Sequence, residues 1–432
     1  MAEFNIEHFG DIQFALQPGG CEKIITSFAM AMETQPEKHK IALDGKNAFN
    51  SCNRQLGLKE IYFHKKELMH YFLDHYGSDP KLWYYGMVDG IRPIEFQEGF
   101  LQGDVMATWA YIMAMQPFLV GLRQILGEND FVMFLVDDGN LCVGHLKAIE
   151  ALTYIFGEGP KYGYNVQTAK GSICMGSCGG NFELAEFQKQ ELIVQFGFNE
   201  AIIHIHPNDY ADGEEKVEAT SKYGLKMLGT FVGSDEFVKA NIMKHVESFE
   251  TTVENLEKVE NLQYRFLLLR HCFAPKLTYL LRNTRSDLTT EIVDKFESYK
   301  RRIFCGIIDE DPTLFDNSSW DQIQLAVDNG GMGLQNSKWV QQSAFAAAFL
   351  SVYHSSLKDK FGLEKYFLGE ERNLAIKYFD QIRVAYDEFR RLSPTQFPDT
   401  SVVRISCCLG NSPLNCANAG ENSTSNAALQ AA

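Results

Sequence analysis

The chain has 432 residues, 45% of them apolar, and a formal net charge of −16. That length allows two to four domains with a substantial core, and the acidic balance argues against a generally sticky nucleic-acid binder. No run of about 18 uncharged apolar residues occurs, so no membrane-spanning helix is expected. The opening MAEFNIEHFG lacks the basic region and apolar core of a signal peptide. Ten scattered cysteines without such a leader are expected to be reduced thiols inside a cell, with nucleus and cytoplasm not distinguished.

Taken in chain order, Pro18-Gly19-Gly20 marks a turn, and Ile24 to Met32 is apolar enough for a buried helix. KIALD (40–44) predicts a short buried strand ending on an acid, Asp44. Arg54 to His75 predicts one long helix. LWYYGMVDGIRPIEFQEGF (82–100) predicts strands around a turn at Gly90. Gln102-Gly103-Asp104 then precedes a helical pattern, Val105 to Leu126, which Pro117 is expected to kink or cut. Taken alone, Gln102 and Gly103 suit an ordinary loop and Asp104 suits an N-cap.

FVMFLVDDGNLCVG (131–144) predicts a β-hairpin turning at Asp137-Asp138-Gly139-Asn140, with Gly139 accepting the positive φ of the turn. Its chemistry leaves two readings open. Adjacent acids beside buried strands are costly unless paired, and a divalent cation with oxygen ligands would pair them. A solvated Asp-Asp-Gly turn is the other reading.

Residues 145–160 predict a helix, and 162–176 a loop and strand with Lys170 in its polar middle. Residues 182–197 look helical, His206 to Glu218 an exposed loop, and 223–233 a strand-like segment framed by glycines. The pattern is helical over 236–308, turn-rich over 309–330 and helical over 336–391. Residues 410–432 are too poor in large apolar side chains to fold, and a disordered tail is expected. Lys258 to Arg302 carries ten Lys/Arg against five acids, which by itself suits a solvated helical face. Cys174, Cys178, His204 and His206 are spaced too loosely for a usual zinc site. Asn422-Ser423-Thr424 fits a glycosylation acceptor, but no secretory signal supports it.

The informative feature is a combination. If the strand ending at Asp44 neighbours the hairpin carrying Asp137 and Asp138, three carboxylates converge and repel unless cations lie between them. Two such cations clamp the attacking and leaving oxygens of a phosphoryl transfer.

At this point the residues resemble a known family. Asp44-Gly45-Lys46-Asn47-Ala48-Phe49 resembles the first metal-binding motif of reverse transcriptases, an Asp followed by three residues and Ala-Phe. FQEGFLQGD (96–104) resembles their Gln-Gly-Asp motif, and FLVDDG (134–139) their double-Asp motif. YGYNVQTAKGSI (162–173) and YGLKMLGTFVGS (223–234) resemble the next two. LQYRFLLLRHCFAPKLTYLLR (262–282) and DNGGMGLQNS (328–337) look like downstream regions of the non-LTR retrotransposon type. The resemblance spans roughly residues 9–350, and its weight lies in the order of the motifs.

The resemblance implies an α+β right-hand polymerase palm, an antiparallel sheet backed by helices, with helical thumb-like and C-terminal regions. Its expected divisions are 1–43 (residual fingers and first palm strand), 44–235 (palm), 236–308 (thumb-like), 309–409 (helical) and 410–432 (tail). It implies RNA-directed DNA synthesis on a template with a primer, from deoxynucleoside triphosphates, with Mg²⁺ or alternatively Mn²⁺. Asp44 and Asp137 would be the principal metal ligands and Asp138 the third acid. Phe49 would screen against a ribose 2′-hydroxyl, or else simply pack in the core. Gln102 and Gly103 would lie along the incoming nucleotide and template. Lys170 would protonate or steady pyrophosphate, or else be a solvated lysine. Lys46 and Arg54 would meet phosphates, and the basic 258–302 stretch would follow the template–primer backbone. The chain departs from the pattern at Leu135 and Val136, where an aromatic and a small residue are usual, and at Val105 and Met106. It begins almost where the family's upstream fingers strands should end. The alternatives are therefore a catalytically inactive remnant that keeps only nucleic-acid binding and, more remotely, an RNA-synthesising polymerase.

Overall fold

The computed structural model describes residues 2–10, 12–77, 81–86, 90–127, 129–353 and 377–392. The tail expected at 410–432, the Asn422 acceptor and residues 354–376 and 393–409 of the expected C-terminal helical region lie outside the described residues. The chain forms two compact units, one from Met1–Ile24 and Gln35–Ala219, the other from Ile25–Thr34 and the chain from Thr220 on. No described helix is long and apolar enough to cross a membrane. The cysteines of the described residues are free thiols.

The first unit is mixed α and β, built on a five-stranded, mainly antiparallel sheet. Its strands are β1 (His39–Leu43), β4 (Phe131–Leu135), β5 (Asp138–Val143), β6 (Ser172–Cys174) and β7 (Ile203–His204), in the order β4-β5-β1-β6-β7. The intervening strands β2 (Lys81–Gly86) and β3 (Gly90–Glu95) form a hairpin of their own, whose last described pair is Gly86 with Gly90; the turn between them lies outside the described residues. β1 pairs antiparallel with β5 on one side and β6 on the other, while β6 and β7 run parallel. The register lines up Val132, Leu141, Ile41, Ile173 and Ile203 across the sheet. This row shares one core with the helices Ala107–Ile125 and His145–Tyr162. The next row is Phe131, Cys142, Lys40, Cys174 and His204. Alternate residues of a strand face opposite sides, so this row lies on the other face, where Lys40 is fully buried and donates to the Gln35 carbonyl at 2.6 Å. Both faces are thus covered, which is why β4 reads as an unbroken apolar run, whereas β1 carries buried His39 and Lys40 ahead of its apolar Ile41-Ala42-Leu43.

Several local expectations change. The turn between β4 and β5 is two residues earlier than the Asp-Gly signature suggests: Leu135 pairs with Asp138, leaving Val136 and Asp137 as the loop. Val136, not Gly139, carries the positive φ, at 58°. A β-branched residue there costs about 1–3 kcal/mol and persists only where its surroundings hold it. Gly139 lies in β5, and its missing Cβ makes room for the Phe134 ring, whose nearest atom would be 2.7 Å away. The helix expected over 54–75 is two helices, Arg54–Lys65 and Met69–Tyr76, joined by a 3₁₀ turn. Lys65, at φ −148°, breaks the α conformation between them. The helix Ala107–Ile125 continues through Pro117 uncut. The expected loop 206–218 holds a 3₁₀ turn, Pro207–Asp209, and the start of the helix Glu214–Lys222. Asp209 is buried in it, accepting hydrogen bonds from the amides of Cys178 and Gly180 and the hydroxyl of Ser177.

The second unit contains a hairpin, β8 (Gly224–Met227) and β9 (Thr230–Gly233), and its other described elements are helical. Ser286–Ile308 is the longest of these helices, and Ile242, Val246, Phe273, Phe296 and Ile303 share its core. Part of the basic surplus of 258–302 is taken up internally. Arg285 meets Glu33, Asp235 and Asp287, Arg302 meets Glu250 and Glu257, and buried Lys300 meets Glu297 at 2.6 Å. Arg265 donates to the carbonyls of Val259 and Gly306. Counting charges along the sequence therefore overstates the positive field this stretch presents.

Candidate functional site

The register of the sheet determines where the acids go. Leu43, the last residue of β1, stands opposite Gly139 of β5. One residue further, Asp44 comes alongside Asp138, and Asp137 occupies the adjoining turn. The β1 strand lies next to the second strand of the hairpin, not the first. Asp44, Asp137 and Asp138 are each half-buried. Burial, then the charges of Asp137 and Asp44, push the Asp138 carboxyl up to about 6. Burial, with Asp44 adding to it, also raises Asp137. The three negative charges are therefore close enough to oppose one another's ionisation.

After Asp44 the chain stays tied to the segment that carries Lys170. The Asp44 carbonyl accepts the Gln167 amide at 2.9 Å, and the Lys46 amide donates to the Asn165 carbonyl at 2.7 Å. The Lys170 ammonium lies 3.7 Å from the Asp44 carboxylate and is mostly exposed, a pair worth little to stability. Gly45 has a steric reason to be glycine. A Cβ there would sit 2.9 Å from the Tyr164 ring and 3.3 Å from the Asp137 Cβ.

Tyr164 and Tyr111 lie buried beneath the acids, and neither hydroxyl has a hydrogen-bond partner. Burial raises both phenols well above their usual range, with the neighbouring Asp137 and Asp138 adding to it. An unpaired buried hydroxyl costs about 1–3 kcal/mol, so two of them beside three carboxylates leave hydrogen-bonding capacity unmet next to the acids. The donor set, carboxylates only, fits a hard divalent cation. Among the described residues, no three or more His, Cys, Asp or Glu side chains are already disposed as metal ligands, so a cation here would have to draw the carboxylates together.

The remaining motif residues separate into two groups. Phe49 is half-buried, its ring stacked on Tyr111 at 5.1 Å, and its carbonyl accepts the Phe100 amide at 2.8 Å. That bond docks the segment leading to Gln102 and Gly103 just past the Asp44 turn. Gln102 and Gly103 are exposed, and Gly103 takes φ 96°, a conformation that favours glycine. Asp104 and Arg54, by contrast, are committed to the scaffold. Asp104 accepts the hydroxyls of Tyr71 and Tyr76 and the Met106 amide, and it is not the N-cap, which is Met106. Burial alone would raise its carboxyl, but the hydrogen bonds from Tyr71, Tyr76 and the Met106 amide, with His75 nearby, together outweigh this and lower it. Arg54 is buried, donates to the carbonyls of Phe96, Glu98 and Gly99, and stacks over Phe96. It is not available to a phosphate. Lys46 is exposed.

Sequence reasoning missed Gln13, Gly45, Tyr111 and Tyr164. Gly45 lay inside the first motif, but the rings that crowd it belong to distant segments. Gln13 carried no signal. Its side chain meets a turn residue 123 positions away.

No protein-family model matches the chain, and no curated protein matches it. Among solved structures it is similar to telomerase from Candida albicans, in a complex with a fragment of telomeric RNA, at 10% identity. The similarity covers 82% of this chain and 53% of that one, with a TM-score of 0.34. The chain thus spans about half the length of that telomerase, and a likeness so loose assigns neither fold nor function.

Proposed function

We propose that this chain is an RNA-directed DNA polymerase of the non-LTR retrotransposon type, extending a primer 3′-hydroxyl with deoxynucleotides. The reading is carried by one observation: Asp44 leaves β1 beside Asp138, next to the turn that holds Asp137. The ordered motifs of the sequence and the unmet polar groups under the acids support it. Asp44, Asp137 and Asp138 would hold Mg²⁺ or Mn²⁺. Such ions, when bound, sharpen a hydroxyl nucleophile and stabilise charge on a transferring phosphoryl group. The Lys170 ammonium, beside Asp44, would steady charge on the leaving pyrophosphate. The exposed side of Phe49 would lie under the sugar, and Gln102 and Gly103 along the nucleotide and template.

The test is primer extension by purified protein on an RNA template with deoxynucleotides and Mg²⁺. Asp137→Ala should lower the rate by about a hundredfold or more, as loss of a metal ligand does. Extension by Asp137→Ala at the wild-type rate would falsify that residue's role. Phe49→Val should raise ribonucleotide use if the ring screens the sugar. A second reading, nucleic-acid binding without catalysis, is favoured by the open disposition of the carboxylates among the described residues. Salt-dependent binding of template–primer with no extension at any Mg²⁺ or Mn²⁺ concentration would select it.

A further inference from the structure

We infer that Gln13 is a positioning residue for the acids, holding in place the strained turn from which Asp137 projects. This rests on the polymerase reading above for what the positioning serves, but the clamp itself is a separate geometric fact.

Gln13 is 1% exposed. Its Nε2 donates to the Val136 carbonyl at 3.0 Å, and its Oε1 accepts the Val136 amide at 3.0 Å. One side-chain amide therefore engages both backbone polar groups of the residue that carries the positive φ. The backbone around Gln13 is fixed to β4 as well. The Phe14 amide donates to the Phe134 carbonyl at 2.8 Å, and the Phe134 amide to the Ile12 carbonyl at 2.6 Å. Oε1 also accepts the Ala15 amide at 3.1 Å, which fixes the orientation of the side chain.

Two-residue hairpin loops favour Gly, Asn or Asp where φ is positive, because those residues hold the conformation unaided. Val136 does not, so the conformation is imposed from outside. If Val136 relaxed to negative φ, the following peptide plane would rotate and carry the Asp137 side chain away from Asp44 and Asp138. A glutamine amide donates from Nε2 and accepts on Oε1 at once, which matches the carbonyl and the amide of a single backbone residue. Glutamate would keep the acceptor and lose the donor. Gln13 touches none of the three carboxylates' reacting oxygens, so its effect passes through Val136.

The experiment compares the full chain with Gln13→Ala, Gln13→Glu and the double variant Gln13→Ala/Val136→Asn. Three readouts are used: amide hydrogen exchange over residues 131–140, Mn²⁺ binding followed by electron paramagnetic resonance, and primer-extension kinetics. Both Gln13 single variants should exchange the amides of Phe134 to Asp138 about tenfold faster or more, as a locally opened turn does. They should weaken Mn²⁺ binding and lower kcat by about tenfold or more with KM within about twofold, since misplacing a reacting group acts on the transition state. Asparagine adopts the left-handed region readily, so the double variant should regain most of the lost kcat and Mn²⁺ affinity. A structural role alone predicts no such recovery. Unchanged exchange and Mn²⁺ binding in Gln13→Ala, or a loss that Val136→Asn does not repair, overturns the inference. Should Gln13→Ala fail to fold, Gln13→Glu, which keeps the volume, gives the same decision. If the wild-type protein extends no primer, the polymerase reading fails on its own, and the exchange and Mn²⁺ arms still decide the clamp.

Discussion

Leu43 faces Gly139 across two antiparallel strands, and through that pairing Asp44 comes to stand beside Asp138. The juxtaposition is unfavourable by itself: burial and the charges of Asp137 and Asp44 raise the Asp138 carboxyl to about 6. Stability is therefore sacrificed where the chemistry is proposed to occur, a trade seen at many working sites.

Asp138→Asn should separate the two quantities. A carboxylate raised in the fold contributes stability that is complete below its unfolded value of about 3.9 and is lost as pH rises through its folded value. In EDTA, the wild-type melting temperature should therefore fall relative to Asp138→Asn between pH 4 and about 7. At pH 8 the variant should be the more stable protein, by about 2–4 °C for each kcal/mol relieved. Primer extension should fall nevertheless. A variant less stable than wild type at pH 8 in EDTA would contradict the electrostatic account.

Gly45→Ala should disturb the site from the opposite side. The new methyl would press on the Tyr164 ring at 2.9 Å and the Asp137 Cβ at 3.3 Å. Overpacking of this kind costs about 1–3 kcal/mol, visible as a lower midpoint in urea. Because Asp137 is displaced, extension should drop more than the loss of folded protein explains. Activity in proportion to folded fraction would deny the contact any role at the site.

His39 gives a pH dependence of opposite sign. It is fully buried and accepts the Gly176 amide on Nδ1 at 2.7 Å. Its Nε2 must therefore carry the proton and donate to His145 Nδ1 at 2.9 Å, and His145 Nε2 donates to Glu191 at 2.9 Å. Burial, with His145 and Lys40 adding to it, holds His39 down to about 3. A histidine lowered in the fold contributes stability that is complete above about 6.5 and is lost as pH falls toward its folded value. Melting curves from pH 7 to 4 should show His39→Asn less stable overall but with a flatter acid limb. An equally steep limb in the variant would place the proton uptake elsewhere.

Arg54→Lys should be destabilising and electrostatically silent. The guanidinium serves three carbonyls from a buried position, and an ammonium cannot reproduce that fork. A loss of about 1–3 kcal/mol is expected. In Arg54→Met, which removes the charge, the salt slope of template–primer binding should not change, because Arg54 is not available to a phosphate. A slope reduced by about one unit would show that it is.

The apolar runs 41–43 and 131–135 were legible as strands because both faces of the sheet are covered, and Asp44 was legible as a strand-ending acid. Their adjacency was not, since pairing partners lie about a hundred residues apart. Asp-Gly misdirected the hairpin turn: the motif that normally supplies positive φ was drawn into β5, and a β-branched residue was forced to replace it. Pro117 does not cut its helix because a proline removes only one helical hydrogen bond, and the surrounding core holds the helix Ala107–Ile125 together. Arg54 suggested phosphate because charge is visible in a sequence and burial is not. The net charge of the 258–302 stretch was likewise read without Glu33, Asp235 and Glu250, partners that lie outside it.

The clamp of Gln13 on Val136 also bears on the order in which the molecule is assembled. During synthesis the segment holding Gln13 is made first, and its partner follows 123 residues later. At roughly 5–20 residues per second, Gln13 waits at least several seconds for the turn to be synthesised. The ring closed by that contact is large, and its entropic cost must be met before the contact gives anything back. Refolding monitored at Val136 should thus lag behind formation of the helices, so that the acid pocket is among the last parts of its unit to mature.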